Sequence, residues 1–179
     1  WRYDEEVTWP FGYGMTYTQF KQELIGEPTI NKTEHDFTLQ FKIGVTNIGE
    51  SPAKSIVQLY GQAPYIENGL EKSSVQLLAY DKTETLQPDD TEEITLTVDM
   101  QNIATWDSAH QNADGTYGTY VLDMGDYYFA LGNGSHEAMN NILAKQGRTV
   151  ENTNGLMDAE GNVTIKGRSK NMLLGPSGQ

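Results

Sequence analysis

Three histidines, 25 carboxylates and no cysteine set the chemistry open to this 179-residue chain. A hydroxyl nucleophile needs a base within reach. His35, His110 and His136 each fall in a turn, a loop or a helix start, none beside a Gly-x-Ser-x-Gly elbow. They form no His-x-x-x-His pair for a metal. Without thiols there are no disulfides, thiolate metal sites or thiol nucleophiles. Gly12-Tyr-Gly14 is too short for a phosphate cradle, and no basic residue follows it. Asp158-Ala-Glu-Gly-Asn162 lacks the alternating oxygen ligands and terminal Glu of a calcium loop. The residues therefore assign no catalytic group, no metal and no cofactor.

The carboxylates raise glycoside hydrolysis, which needs two acids about 5 or 6.5–9.5 Å apart. Asp4-Glu5-Glu6, Asp89-Asp90 and Glu92-Glu93 lie in turns or at element ends, where acids are normally solvated. Aromatic rings are the other resource. Trp1, Trp9, Tyr65 and Trp106 could stack on sugar rings if exposed, or pack at a core edge or against a neighbouring domain. Tyr65 and Trp106 are the carbohydrate-stacking candidates, because both fall in stretches read as loop, Trp106 in the strand-poor Asn102–Gly118.

The segments that would position these residues read as strands and turns. Phe37, Leu39, Phe41, Ile43 and Val45 recur with a period of two, which predicts a strand with one buried face. Thr16–Ile25, Ile56–Tyr60, Val75–Tyr80, Ile94–Val98, Tyr120–Met124 and Tyr127–Leu131 add six more. Asn47–Glu50 and Leu86–Asp90 supply turns between them. Seven strands with such punctuation predict an all-β, two-sheet sandwich. One helix is expected at His136–Gln146, with Ser135 as N-cap and Gly147 as the stop. Residues 148–179, rich in Gly and Asn, read as a weakly ordered tail or linker with one candidate strand at Asn162–Ile165.

Composition excludes whole classes of function. The net charge is −13, with +1 on residues 148–179 and −14 on the rest. That balance argues against nucleic acid as a partner. No apolar run approaches the ~20 residues of a membrane span, so no membrane partner is expected. Trp1-Arg2-Tyr3-Asp4 has no apolar run of a signal peptide, and Trp1 in place of an initiator Met points to an excised piece. The lack of Cys allows a bacterial cytoplasm and does not forbid secretion.

Pro10-Phe-Gly-Tyr-Gly-Met-Thr-Tyr-Thr-Gln-Phe20 resembles the opening motif of the fibronectin type III-like domain of family 3 glycoside hydrolases. Further matches follow in that family's order: Val45-Thr-Asn-Ile-Gly49, Val57-Gln-Leu-Tyr60 with Ala63-Pro-Tyr65, Leu77-Leu-Ala-Tyr80, Leu86-Gln-Pro88, Gly125-Asp-Tyr127 and Leu131-Gly-Asn133. Together they cover residues 9–134. Asp89 stands where the family's turn has Gly, a tolerable change because Asp visits positive φ readily. Ala79 stands where Gly is common. Gly134-Ser-His-Glu-Ala-Met-Asn-Asn-Ile-Leu143 is similar to the continuation in a subset of members, many from gut and rumen bacteria, whose catalytic barrel follows this domain.

The resemblance implies an immunoglobulin/fibronectin III-like sandwich and a division into a lead-in from a preceding domain (1–15), the sandwich (16–134), a helix (135–147) and a tail or linker toward a barrel (148–179). It also implies that catalysis lies elsewhere. The family's nucleophile is an Asp of the (β/α)8 barrel, usually followed by Trp, and its acid/base Glu lies in an α/β sandwich domain. Asp99-Met100 and Asp107-Ser108 do not match the nucleophile motif, so no catalytic residue carries over. The expected role is a non-catalytic support for an enzyme that hydrolyses terminal β-glucosides or related sugars with retention, its partners being the barrel and α/β sandwich of the same polypeptide. Phe11, Gly12, Tyr13, Gly14 and Tyr17 are the domain-interface candidates, the glycines allowing close backbone approach. The alternative is a module that binds polysaccharide or lignin through Tyr65 or Trp106.

Overall fold

The computed structural model describes residues 8–33, 36–149 and 160–175. His35, the acids at 4–6, Trp1 and Asp158 lie outside them. The described residues form eleven strands: β1 (Phe20–Leu24), β2 (Thr29–Lys32), β3 (Phe37–Asn47), β4 (Ile56–Gln62), β5 (Gln76–Lys82), β6 (Thr91–Asp99), β7 (Thr105–Gln111), β8 (Tyr117–Leu122), β9 (Gly125–Leu131), β10 (Thr164–Ser169) and β11 (Met172–Gly175). A 3-10 turn spans Met100–Ile103 and a helix, α1, spans Ser135–Lys145.

Strand β3 organises the first sheet. Its alternation buries Leu39, Phe41, Ile43, Val45 and Asn47, and it pairs with β6 from Thr38↔Asp99 to Thr46↔Thr91. On its other edge β1 and β2 follow one another, Leu24 opposite Ile43 and Thr29 opposite Gln40. Gly26, at φ 69°, and Pro28, which has no N–H to donate, interrupt what would otherwise be one strand. The second sheet runs β10-β9-β4-β5, all neighbours antiparallel. Strands β4 and β9 are buried on both faces, as suits the centre of a sheet. The two sheets share one core, in which Phe41 of β3 meets Phe129 of β9 at 5.2 Å between ring centroids. This is an all-β sandwich.

A third sheet, β11-β8-β7, packs Leu122, Met172 and Leu174 against the same core. It corrects two expectations. Tyr120–Met124, expected as a sandwich strand, lies mostly in β8 of this smaller sheet, while β10 takes the remaining edge of the sandwich. Asn102–Gly118, read as strand-poor, contains β7, whose mixture of polar and small residues (Thr-Trp-Asp-Ser-Ala-His-Gln) hides the pattern of a one-sided strand. His110 accordingly sits on β7. The candidate strand at Asn162–Ile165 is found at Thr164–Ser169, so residues 160–175 contribute two strands. The first strand is shorter than the expected Thr16–Ile25: residues 17–18 form a bend, and the ladder with β3 begins at Phe20.

Helix α1 lies on β9, β4 and β10 through Ala138 and Ile142. A Cβ on Gly132 would stand 2.6 Å from the Ala138 nitrogen, so glycine there admits the helix. The N-cap is Gly134 rather than Ser135, which is already helical; the Glu137 carboxylate instead accepts from the Asn133 N–H at 3.1 Å. Gly147, at φ 85°, ends the helix as expected, with Gly147 N–H on the Ala144 carbonyl and Arg148 N–H on that of Leu143, a Schellman closure.

Asn47 joins three segments. Its side chain is fully buried and satisfied: Oδ1 accepts from Thr18 Oγ1 (3.0 Å) and the Gly49 N–H (3.1 Å), and Nδ2 donates to the Ser51 and Leu86 carbonyls. The 87–90 turn closes beside it with Pro88 at the first central position and Asp89 at φ 67° in the second, a type II turn. That is the conformation the Asp89 substitution was expected to tolerate. Asn47→Ala should cost on the order of 3 kcal/mol, because it orphans the buried Leu86 carbonyl and Thr18 hydroxyl and leaves a cavity in a fully buried site; urea denaturation of the chain measures it. A midpoint unchanged from wild type would contradict the role given to Asn47.

The β9–β10 pairing carries an ion pair, Lys166 Nζ to Asp126 at 2.8 Å, with Arg168 at 3.9 Å. The hydrogen bond from Lys166, with the charges of Lys166 and Arg168, holds the Asp126 carboxyl below its usual range, and Asp126 in turn raises Lys166. A depressed folded value means that Asp126 contributes stability above its unfolded pKa of about 3.9 and loses it as pH falls through the folded value. Asp126→Asn should therefore melt lower than wild type at neutral pH, and the gap should close in acid below about pH 3.9. Melting curves collected from pH 2 to 8 test this; a gap that does not change with pH contradicts it.

Candidate functional site

The sequence candidates fall in two separate places. Residues Pro10–Tyr13 close a turn in which the Tyr13 N–H meets the Pro10 carbonyl at 3.0 Å and Gly12 takes φ 84°. This is a type II turn with glycine where φ must be positive. Three groups clamp it to the sandwich. Gln58 Nε2 donates to the Gly12 carbonyl at 2.9 Å, Tyr60 Oη donates to Gln58 Oε1 at 2.7 Å, and the Ser135 N–H donates to the Phe11 carbonyl at 2.8 Å. A Cβ on Gly12 would stand 2.3 Å from Tyr60 Oη and 2.5 Å from Gln58 Oε1, so no larger residue fits without moving the clamp. Burial raises Tyr60 to about 12, which keeps its hydroxyl a donor to Gln58 throughout the neutral range.

Downstream, Thr18 is held by Asn47. Around and between the two anchors the side chains are displayed to solvent. Trp9, Phe11, Tyr13, Met15 and Tyr17 are all exposed, Tyr17 at 99%, and the Trp9 and Tyr13 rings lie 4.9 Å apart. The outer face of the second sheet continues this surface: Ile56 and Tyr80 are exposed there, and Tyr80 is the cross-strand partner of Gln58. Gly14 has open space where its Cβ would be. The structure thus brings Phe11, Gly12, Tyr13, Gly14 and Tyr17 into one anchored, apolar segment. Its clamp residues Gln58 and Tyr60, with Ile56 and Tyr80, were missed as site residues. The available signal was a Gln and a Tyr at alternate positions of an otherwise apolar strand.

The carbohydrate-stacking candidates are not brought together. Trp106 stands on β7, edge-on to Tyr120 (5.0 Å) and so close over Gly118 that a Cβ there would meet its ring at 2.2 Å. Gly118 at φ 99° is thereby the seat of the indole, and about half of Trp106 is packed. Tyr65 sits in the 63–74 loop, 89% exposed, at the rim of a cleft of about 550 Å³ that Trp106 does not line. Among the described residues no group of three or more His, Asp or Glu side chains could hold a metal ion. Two of the acids considered for hydrolysis bind backbone: Asp90 accepts from the Gln87 N–H, and Glu92 from the Glu84 N–H.

Comparison with known proteins agrees with the motifs. Residues 55–135 match the family model "Fibronectin type III-like domain". Beta-glucosidase A of Butyrivibrio fibrisolvens is 31% identical over 161 residues, 79% of this chain and 19% of that protein. A beta-glucosidase of Ruminococcus albus is 33% identical over 129 residues, 72% of this chain and 13% of the relative. Among solved structures, a beta-glucosidase from Paenibacillus barengoltzii superposes on 96% of this chain with a TM-score of 0.66 and 25% identity, this chain covering 16% of it. Beta-glucosidase 3B from Thermotoga neapolitana shares the fold at a TM-score of 0.58 and 21% identity. The chain spans a fifth or less of the curated relatives it matches. With its ordered motifs, its sandwich and these relatives, the chain belongs to the fibronectin type III-like domains of family 3 glycoside hydrolases.

Proposed function

We propose that this chain is a non-catalytic accessory domain that braces the catalytic domains of a family 3 glycoside hydrolase, with the Trp9–Tyr17 segment as its seam. The parent enzyme is a β-glucosidase-like hydrolase acting on terminal β-linked glucose or related sugars with retention, and the partners are its α/β sandwich and barrel. The observation that carries this reading is the segment itself: five large apolar side chains exposed on a backbone pinned at Gly12 and at Thr18. Burying each large apolar side chain is worth roughly 1.5–3 kcal/mol, and a pre-anchored backbone loses little entropy on docking. Gly14 supports the same reading. Among the described residues nothing lies within 4 Å of where its Cβ would be, whereas the close approach of a partner's backbone would demand glycine. Because β10 and β11 belong to the sheets, the connection toward a catalytic barrel begins only after β11.

Two experiments test this. In the full-length enzyme, the double variant Phe11→Ala, Tyr13→Ala should lower the melting temperature of the catalytic domains by several degrees, about 2 kcal/mol or more of lost burial. The same variant should leave the melting of the isolated chain nearly unchanged, since both rings are exposed in it. An unchanged melting curve for the full-length variant would sink the bracing role. In the second, the isolated chain is expected to leave aryl β-glucosides intact while the full-length enzyme cleaves them. Release of the aryl alcohol by the isolated chain would overturn the non-catalytic assignment.

A further inference from the structure

The cleft beneath Tyr65 is built from two tethered walls. Pro64 packs so closely on Gly125 that a Cβ there would stand 2.6 Å from Pro64 Cβ, and Gly125 at φ 153° is the start of β9. At the other end of the loop Lys72 makes a largely buried ion pair with Asp123 at 2.6 Å. Gln62 Nε2 closes the loop on the Ser74 carbonyl at 2.8 Å, and Gln146, just past α1, donates to Gln62 Oε1 at 2.7 Å. Residues 62–74 are thus fixed to the Asp123–Gly125 turn at both ends, which makes the cleft a preformed feature. Its volume of about 550 Å³ is that of a small-ligand site.

Its lining has a definite chemical character. Tyr65 presents an aromatic ring that is 89% exposed, and Tyr128 lines the cleft nearly buried. The charged groups are already neutralised: Lys72 by Asp123, and Asp126 by Lys166. An ionic ligand would have to compete with those pairs. A neutral polyol would not, because paired carboxylates and side-chain amides retain lone pairs for hydroxyl donors. An open aromatic face beside such groups suits the apolar C–H face of a pyranose, with the hydroxyls directed at Asp126, Gln62 and Gln146.

We propose that this cleft is a binding site for a neutral di- or oligosaccharide, stacked on Tyr65 and hydrogen-bonded to Asp126 and the Gln62–Gln146 pair. The site is separate from the Trp9–Tyr17 segment and stands or falls independently of the bracing role. The test is amide-resolved NMR titration of the isotope-labelled 179-residue chain with cellobiose, xylobiose and, as a charged control, glucuronate. Saturable shifts at residues 62, 63, 65, 72–73 and 124–126 with either disaccharide are expected, weakened about tenfold or more in Tyr65→Ala, roughly the loss of one stacking contact. Tyr65→Phe, which keeps the ring, should bind like wild type. Tyr65 is so exposed that neither variant should unfold the chain, and the unperturbed spectrum elsewhere verifies it. No shift with either disaccharide, shifts confined to other residues, equal affinity in Tyr65→Ala, or glucuronate binding as well as the disaccharides would each overturn the proposal.

Discussion

The Gly12 carbonyl, held by Gln58 and through it by Tyr60, is the contact on which the arrangement of the surface depends. It is made in the middle of a sheet, from a strand whose other face is core. Tyr60 is fully buried, so its hydroxyl needs a partner. Gln58 is that partner and passes its remaining donor to the backbone of the lead-in segment. A polar chain that begins in the sandwich thereby ends by fixing a solvent-exposed turn. With Thr18 held by Asn47 at the other end, the exposed aromatics around and between them are presented from a defined backbone.

The sandwich provides what these anchors require. Val57 and Leu59 of β4 face the core while Gln58 faces out, so the register of β4 against β9 decides where the lead-in segment is clamped. The helix contributes a second hold, because its first amide, at Ser135, faces the Phe11 carbonyl. Gly134 and Gly12 meet there: a Cβ on Gly12 would lie 3.3 Å from the Gly134 Cα and one on Gly134 3.1 Å from the Phe11 carbonyl oxygen, while Gly132 seats the helix itself against Ala138. Fold and exposed segment are therefore coupled: the helix packed on β9 also holds, through Ser135, the turn that carries Phe11 and Tyr13.

Much of this is legible in the sequence. The period of two in β3, the turn residues at Asn47–Glu50 and Leu86–Asp90, and the Gly147 stop all follow local rules, and the structure has them. The Pro10–Tyr17 motif, with glycine and aromatics interleaved, marks a segment whose backbone conformation matters. What local reading could not supply is pairing. β7 shows no clean alternation because Trp106 is accommodated by Gly118 on the opposite strand, a cross-strand exchange of size that neither segment reveals alone. Likewise β10 completes the sandwich across a long sequence separation, and the Gln58–Gly12 bond joins residues 46 apart. The walls of the Tyr65 cleft come from three such separated stretches, so only Tyr65 itself was visible beforehand.

The central claim is that the anchored aromatic segment is covered by the rest of its polypeptide. Hydroxyl-radical footprinting reads that directly at Trp9, Phe11, Tyr13, Met15 and Tyr17, comparing the isolated chain with the full-length enzyme. The account predicts strong oxidation of these side chains in the isolated chain and marked protection in the full-length enzyme, with Tyr65 reactive in both. Equal oxidation of the segment in the two forms would contradict it.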